Sequence, residues 1–186
     1  MRKTWISAEQ LLRDAVTLGL RIVASDFRPA LLVGIWRGGS PVAIAVQEVL
    51  ALAGIHCDHI AIRTQSYTGI GAVGTVSVDG LDYVQSRLRG GEAVLLVDDV
   101  FDTGRSIASI LAQLETHFSP PLQVRVAVPW FKPSHNLTSR NPDFYLHTTA
   151  DWLVFPHELV GLDASELRAK PGLTDLAEQL LACRKP

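Results

Sequence analysis

AVLLVDDVFDTGRSI, residues 93–107, joins an apolar run to a polar turn that opens a helix. Residues 94–97 are predicted to form a buried parallel strand, because an unbroken apolar run is typical of a strand covered on both faces. Residues 107–114 carry apolar side chains at helical spacing. Residues 98–106 therefore lie at the carboxyl end of a strand, where open α/β sheets bind their ligands.

The turn from Thr103 to Ser106 has the chemistry of an anion site. Its backbone amides stand at a predicted helix start, where N–H groups have no helical partner and the helix dipole favours negative charge. Asp98 and Asp99 come just before the turn, and such carboxylates accept hydrogen bonds from ribose hydroxyls or hold a hard divalent cation. The pattern therefore suits one ligand that carries a phosphate, a diol and a metal ion.

These residues resemble the signature with which the type I phosphoribosyltransferases bind phosphoribosyl diphosphate (PRPP). That signature has four apolar residues, two acids and a D-T-G-x-S/T turn, and residues 94–106 read VLLVDDVFDTGRS. Asp102 resembles the residue that takes or shares the proton of purine N7 in the 6-oxopurine enzymes. The resemblance implies that PRPP contacts Asp98, Asp99, Thr103, Gly104, Arg105 and Ser106.

A second motif follows another predicted strand. LLVGIWRGG, residues 31–39, ends in Arg37-Gly38-Gly39 and precedes a predicted helix through Leu52. Glycines let a backbone approach a ligand closely, so the two glycine amides and the charge of Arg37 suit a diphosphate. The motif resembles the family's pyrophosphate loop, although a tight strand-to-helix turn has a similar composition.

Residues 64–80 are polar and rich in glycine, which predicts a long connection between a strand near residues 59–63 and a helix near residues 81–88. A loop of this length within a compact domain is usually functional. Ser66-Tyr67 resembles the Ser-Tyr pair of the family's lid, which closes over the diphosphate and keeps water away from the activated sugar.

The purine base is expected to meet residues in the last third of the chain. Lys132 resembles the lysine whose ammonium contacts the 6-oxo group, and lysine can only donate a hydrogen bond. DWLVFPHE, residues 151–158, resembles the family's hood, with Trp152 stacking on the base and the backbone of Leu153 next to it. The resemblance also implies Mg²⁺ as cofactor, with Asp99 and Glu158 as its protein ligands.

Several of these residues also have an ordinary structural interpretation. Asp102 would cap the helix that begins near Gly104, a role worth ~1 kcal/mol and compatible with catalysis. Lys132 in isolation is typical of an exposed loop, and Trp152 suits a core or a subunit interface. The six histidines show no metal-site spacing, so each is interpreted as structural or exposed, and His157 is of interest because it lies in the hood.

Strand and helix patterns alternate along the chain, which predicts an α/β fold with a mostly parallel central sheet flanked by helices. Ser7 to Gln10 form a capping box that opens a first helix. A chain of 186 residues is long enough for one well-buried domain, with a small hood formed by about residues 131–160 and the tail. Predicted strands span residues 30–36, 55–62, 93–97 and 122–128, and tail helices span residues 162–169 and 174–182.

Composition narrows the functional class. A net charge of -2 without a basic block argues against nucleic acid as the main ligand. No apolar segment approaches the ~18 residues of a membrane span, and the N-terminus does not resemble a signal peptide, so a cytoplasmic protein without a membrane partner is expected. Cys57 and Cys183 have no metal or redox spacing, which suits a reducing compartment. A homo-oligomer, dimer or tetramer, is implied by the resemblance alone.

These expectations describe a purine salvage enzyme that joins a 6-oxopurine to PRPP and releases diphosphate. Two alternatives stay open: a non-catalytic sensor of PRPP or a nucleotide on the same fold, and a phosphoribosyltransferase for a pyrimidine or another acceptor. A receiver-like signalling domain also places paired acids at a strand end, but the phosphate turn directly after the acids disfavours it.

Overall fold

The computed structural model describes residues 2–66 and 76–184. The chain divides into a smaller unit, Met1–Leu11 with Asp151–Pro186, and a larger unit, Leu12–Ala150. The strands are β1 (Lys3–Trp5), β2 (Leu31–Trp36), β3 (Asp58–Ser66), β4 (Val76–Asp79), β5 (Ala93–Val97), β6 (Val100–Phe101), β7 (Gln123–Phe131), β8 (Phe144–Thr148) and β9 (Trp152–Val154). The helices are α1 (Ala8–Val23), α2 (Gly39–Leu52), α3 (Leu81–Arg87), α4 (Arg105–His117), α5 (Ala164–Arg168) and α6 (Ala177–Ala182).

The larger unit is built on one sheet, with the strand order β4-β3-β2-β5-β7-β6 and with β8 also paired to β7. Only β3 and β4 pair antiparallel among the described strands; the other pairs of this sheet are parallel. This confirms the predicted α/β class with a mostly parallel sheet. Because β2 and β5 are parallel neighbours, the segments that follow their carboxyl ends meet at one edge of the sheet.

One apolar cluster joins this sheet to α3 and α4. The cluster takes alternate residues of β2 and β5, which lie on one face of the sheet. Leu32, Leu95 and Val97 between them are buried as well, so both faces are covered, which explains why the two strands are unbroken apolar runs. Each fully buried aliphatic side chain of this kind contributes roughly 1.5–3 kcal/mol relative to an exposed one. Its central members include Val33, Ile35, Val84, Leu96, Ile110 and Val126.

Strand β7 is longer than the predicted strand and runs through Pro129 to Phe131. The strands β5 and β6 pair with successive segments of β7, at residues 123–127 and 130–131, and the chain leaves the ladder between them at Asp98 and Asp99. Pro129 has no N–H to donate, so it fits the stretch of β7 that pairs with neither β5 nor β6, while β8 pairs with β7 on its other side. The interruption is also what places the two acids at the sheet edge.

The segment predicted as a long polar connection is partly strand. Its first residues extend β3 to Ser66, and its last residues form β4, which pairs antiparallel with β3. Antiparallel pairing of these ends was not predicted, because a polar, glycine-rich sequence carries little apolar alternation. The predicted lid residue Tyr67 lies outside the described residues.

The smaller unit contains a two-stranded parallel sheet of β1 and β9. Three-residue strands are too short for a periodic signal, so neither strand was predicted. An apolar cluster holds the unit together around Val154, Leu162 and Leu167. The Nζ of the buried Lys170 donates to the carbonyl of Phe155 at 2.9 Å, and burial lowers the pKa of this lysine. Residues 131–150 belong to the larger unit, and a hood of about residues 131–160 with the tail stays a prediction.

The first helix begins where the sequence predicts, and the last helix does not. Ser7 caps α1, because its Oγ accepts a hydrogen bond from the backbone N–H of Gln10 at 3.0 Å. The last helix, α6, begins at Ala177, three residues later than predicted, since Thr174–Leu176 form a 3-10 turn instead. None of the helices in the described part of the chain is both long and apolar enough to span a bilayer.

Candidate active site

The glycine loop after β2 touches the acidic pair after β5. An added Cβ on Gly38 would lie 1.8 Å from Asp99 Oδ2, and one on Gly39 would lie 2.4 Å from the carbonyl oxygen of Val97. Any side chain at these two positions would therefore collide with the segment that ends β5. The structure thus brings together the predicted diphosphate loop, including the exposed Arg37, and the predicted PRPP motif.

Asp98 and Asp99 form a tight acidic pair. Burial and the neighbouring charge of Asp99 raise the pKa of Asp98 well above its ordinary value, although backbone N–H groups of Asp99 and Gly39 lower it. The Asp99 N–H donates to Asp98 Oδ1 at 2.9 Å, and Asp99 itself is buried. Two carboxylates pressed together in this way favour a nearby cation.

The acidic pair fits a hard divalent cation that takes its remaining ligands from water or substrate. Carboxylate oxygens are the ligands that Mg²⁺ prefers, and Mg²⁺ is commonly held by one or two carboxylates together with substrate phosphates. Within residues 2–66 and 76–184, no three metal-ligating side chains cluster to form a complete cage.

The phosphate turn leads directly into α4. Gly104 precedes the helix with φ +77°, and an added Cβ would lie 2.8 Å from both Phe101 Cε1 and Thr138 Oγ1. The first turn of α4 carries no acidic residue whose charge would repel an anion. The Arg105 N–H at its start donates to Thr103 Oγ1 at 3.4 Å. The predicted helix cap was wrong: Gly104 occupies the cap position, and the carboxylate of Asp102 is engaged elsewhere.

The carboxylate of Asp102 lies between the side chains of Lys132 and His135. Lys132 Nζ donates to its Oδ2 at 2.8 Å, and His135 Nδ1 lies 2.9 Å from its Oδ1. Partial burial raises the pKa of Asp102, but the hydrogen bonds from Lys132 and His135 outweigh burial and hold that pKa below its ordinary value. Asp102 is therefore an ionised acceptor next to a strong donor.

The burial of Lys132 and the partner of His135 both bear on the sequence interpretation. Lys132 is 4% exposed, which excludes the alternative of an ordinary surface lysine. His135 was interpreted only as structural or exposed, yet it contacts the predicted catalytic residue. The available signal was the spacing K-P-S-H, because a proline-initiated turn brings side chains three residues apart to one side.

The remaining predicted residues lie in the smaller unit or at the end of β3. Trp152 is 51% exposed on β9, so its ring is accessible for stacking. The side chain of Leu153 is buried, so only its backbone could contact a base. The carboxylate of Glu158 accepts a hydrogen bond from the Phe155 N–H at 3.0 Å. Ser66 is the last residue of β3.

The sequence matches a known protein family over most of its length. The family model described as "Phosphoribosyl transferase domain" matches residues 7–163. A hypoxanthine-guanine phosphoribosyltransferase from Bos taurus is 32% identical over 83 residues, which make up 45% of this chain and 36% of that relative. The match thus spans about a third of the relative's length.

Solved structures share the fold. A purine phosphoribosyltransferase from Pyrococcus horikoshii OT3 has a TM-score of 0.67 at 24% identity, covering 88% of this chain and 99% of that one. A xanthine-guanine-hypoxanthine phosphoribosyltransferase from Helicobacter pylori has a TM-score of 0.63 at 19% identity, covering 95% and 99%. At these identities the similarity shows the fold.

Proposed function

The chain belongs to the phosphoribosyl transferase domain family, and on that premise we propose that it transfers the 5-phosphoribosyl group of PRPP to a 6-oxopurine. The products would be a nucleoside 5'-monophosphate and diphosphate, as in purine salvage with hypoxanthine, guanine or xanthine. One contact supports the choice of base most directly: Lys132 Nζ lies 2.8 Å from Asp102 Oδ2, which puts a donor and an acceptor side by side.

A 6-oxopurine presents the complementary pair of groups. Its O6 accepts a hydrogen bond from Lys132, and its protonated N7 donates to the carboxylate of Asp102. Adenine carries an amino donor at position 6, which the ammonium of Lys132 cannot accept, and a pyrimidine has no N7. Trp152 would stack on the base, with the Leu153 backbone at its edge.

PRPP would occupy the edge of the larger unit's sheet. Asp98 and Asp99 accept from the ribose hydroxyls, Thr103 to Ser106 surround the 5'-phosphate, and Arg37 with the amides of Gly38 and Gly39 holds the diphosphate. The glycine loop supports this assignment, since both glycines lie against the acidic pair without room for a side chain. Ser66 and Tyr67 would belong to the lid over the diphosphate.

Mg²⁺ would be held by Asp99 and Glu158, with Asp98 next to it on the ribose diol. When bound, the ion neutralises charge on the departing diphosphate. The acidic pair supports this role: burial and then the neighbouring charge of Asp99 raise the pKa of Asp98, and a cation beside the pair would offset the repulsion between the two carboxylates.

The protein groups then have separate tasks in the reaction. The bond from C1' to the diphosphate oxygen breaks as the bond from C1' to purine N9 forms. Bond formation at N9 gives the purine a positive charge, which it loses by passing the proton on N7 to Asp102. The diphosphate loop and the phosphate turn fix PRPP at both ends, and Lys132 and Asp102 orient the base. Much of the rate would come from holding the two substrates in line.

The first test is diphosphate release by the purified protein with PRPP and Mg²⁺. Hypoxanthine, guanine, xanthine, adenine and uracil are compared with a reaction without base. Turnover confined to the three 6-oxopurines would support the proposal, and the omission of Mg²⁺ should abolish it. Turnover only with adenine or uracil would contradict the base assignment, and tight PRPP binding without any turnover would favour the sensor.

We also propose a cytoplasmic homo-oligomer, a dimer or tetramer, without nucleic-acid or membrane partners. Both cysteines are free, which suits a reducing compartment. Light scattering of the purified protein measures the oligomeric state directly.

A further inference from the structure

We infer that His135 is a positioning residue, which keeps the Asp102 carboxylate in place while Lys132 turns to the purine. This inference rests on the proposed function, because it assigns His135 a task in that reaction.

The carboxylate of Asp102 is held at both of its oxygens. Lys132 Nζ donates a hydrogen bond to Oδ2 at 2.8 Å, and His135 Nδ1 is hydrogen-bonded to Oδ1 at 2.9 Å. A carboxylate has about four acceptor positions, so two remain for a proton on the base. The arrangement fixes the orientation of Asp102 without consuming its capacity to accept.

The backbone around this contact is anchored on both sides of Asp102. The N–H of Lys132 donates to the carbonyl of Phe101 at 2.9 Å, and the N–H of Leu137 donates to the carbonyl of Thr103 at 3.0 Å. Between these anchors, Pro133–His135 form a 3-10 turn that presents His135 to the carboxylate. The segment after β7 is therefore attached along residues 101–103, with His135 contacting the middle one.

Lys132 alone would be an unreliable support for Asp102 during turnover. Its ammonium is buried against Asp102 before any base arrives, and the proposed function gives the same ammonium a second acceptor, the purine O6. As Lys132 shares its donors with O6, its hold on Asp102 weakens. His135 keeps its contact through this exchange, because it has no role at O6.

The test compares His135→Asn with His135→Leu. The two replacement side chains have nearly the same shape, but only Asn places an N–H donor close to the position of Nδ1. His135 is 35% exposed at its side chain, so both variants should fold. His56→Leu, at an exposed position, is the matched control for losing a histidine. The turnover number with the best 6-oxopurine, the KM for PRPP and the melting temperature are measured for each.

His135→Leu is expected to lower kcat by ~10- to 100-fold, the scale of a misplaced catalytic group, while the KM for PRPP changes less than about twofold. His135→Asn should recover most of that loss. Wild-type turnover in His135→Leu, or an equal loss in His135→Asn, would overturn the positioning role. If His135→Leu melts well below the wild type, His135→Ala replaces it in the same comparison.

The two proposals fail differently. A wild-type protein that turns over no base defeats the proposed function, and the role of His135 with it. An active wild type with an equally active His135→Leu variant defeats only the role of His135.

Discussion

Gly38 lies so close to Asp99 that an added Cβ would stand 1.8 Å from Asp99 Oδ2. This contact joins the diphosphate loop to the acidic pair, so a small change in one should disturb the other. Asp99 is buried, which leaves it little room to move aside.

Gly38→Ala is expected to weaken PRPP binding by ~10- to 100-fold, because overpacking costs about 1–3 kcal/mol and acts here on the binding loop itself. Titration calorimetry with PRPP and Mg²⁺ measures the change. Gly54→Ala is the control: its position has φ +76° with no atom within 4 Å, so it strains the backbone without touching this site. Gly38→Ala binding PRPP as tightly as the wild type would contradict the assignment of this loop.

Asp102→Asn is expected to lower turnover by ~100-fold or more, the scale of lost general acid-base catalysis. The amide keeps the shape of the side chain but cannot accept the N7 proton as a carboxylate does. PRPP affinity should change little, because Asp102 is assigned to the base. Steady-state kinetics measure the effect, with Asp26→Asn at an exposed position as the control. Near-wild-type turnover in Asp102→Asn would rule out the N7 role.

Local sequence signals predicted the strand and the helix on either side of the acidic pair. Strand β5 and helix α4 follow from an unbroken apolar run and a helical period within residues 93–117, both of which are set by neighbours in the chain. The contact of Gly38 with Asp99 depends on the order of strands, which residue spacing does not reveal.

The partners of Asp102 could not be read from the sequence in the same way. Lys132 and His135 reach this carboxylate because β7 continues past Pro129 and the chain then turns back over residues 101–103. The course of the chain here depends on the interruption between β5 and β6, which is visible only once the strands are paired with β7. The resemblance placed Lys132 at the base, but only this path of the chain brings both Lys132 and His135 to Asp102.

Lys132→Met should lower kcat/KM for the 6-oxopurine by ~10- to 100-fold, since a hydrogen bond from a charged group is worth about 1.5–3 kcal/mol. Methionine fills a similar space without a donor for O6. The KM for PRPP should stay within about twofold of the wild type. If the wild type uses adenine at all, the variant should use it equally well. Steady-state kinetics with the 6-oxopurine and with adenine measure both values of kcat/KM. An equal loss for both bases, or none for the 6-oxopurine, would contradict the contact with O6.

Lys170 gives a prediction for the stability of the smaller unit that is independent of catalysis. Burial lowers its pKa, so between that lowered pKa and the ordinary lysine value of about 10.4 the unfolded chain binds more protons at this site than the folded chain. The free energy of unfolding contributed by Lys170 therefore rises with pH across this window and is constant below it. Lys170→Met removes the contribution, so the stability of the wild type relative to the variant should increase as the pH approaches 10.4. Urea unfolding of both proteins at several alkaline pH values measures the difference, and two parallel stability curves would show that the ammonium of Lys170 is not penalised in the folded state.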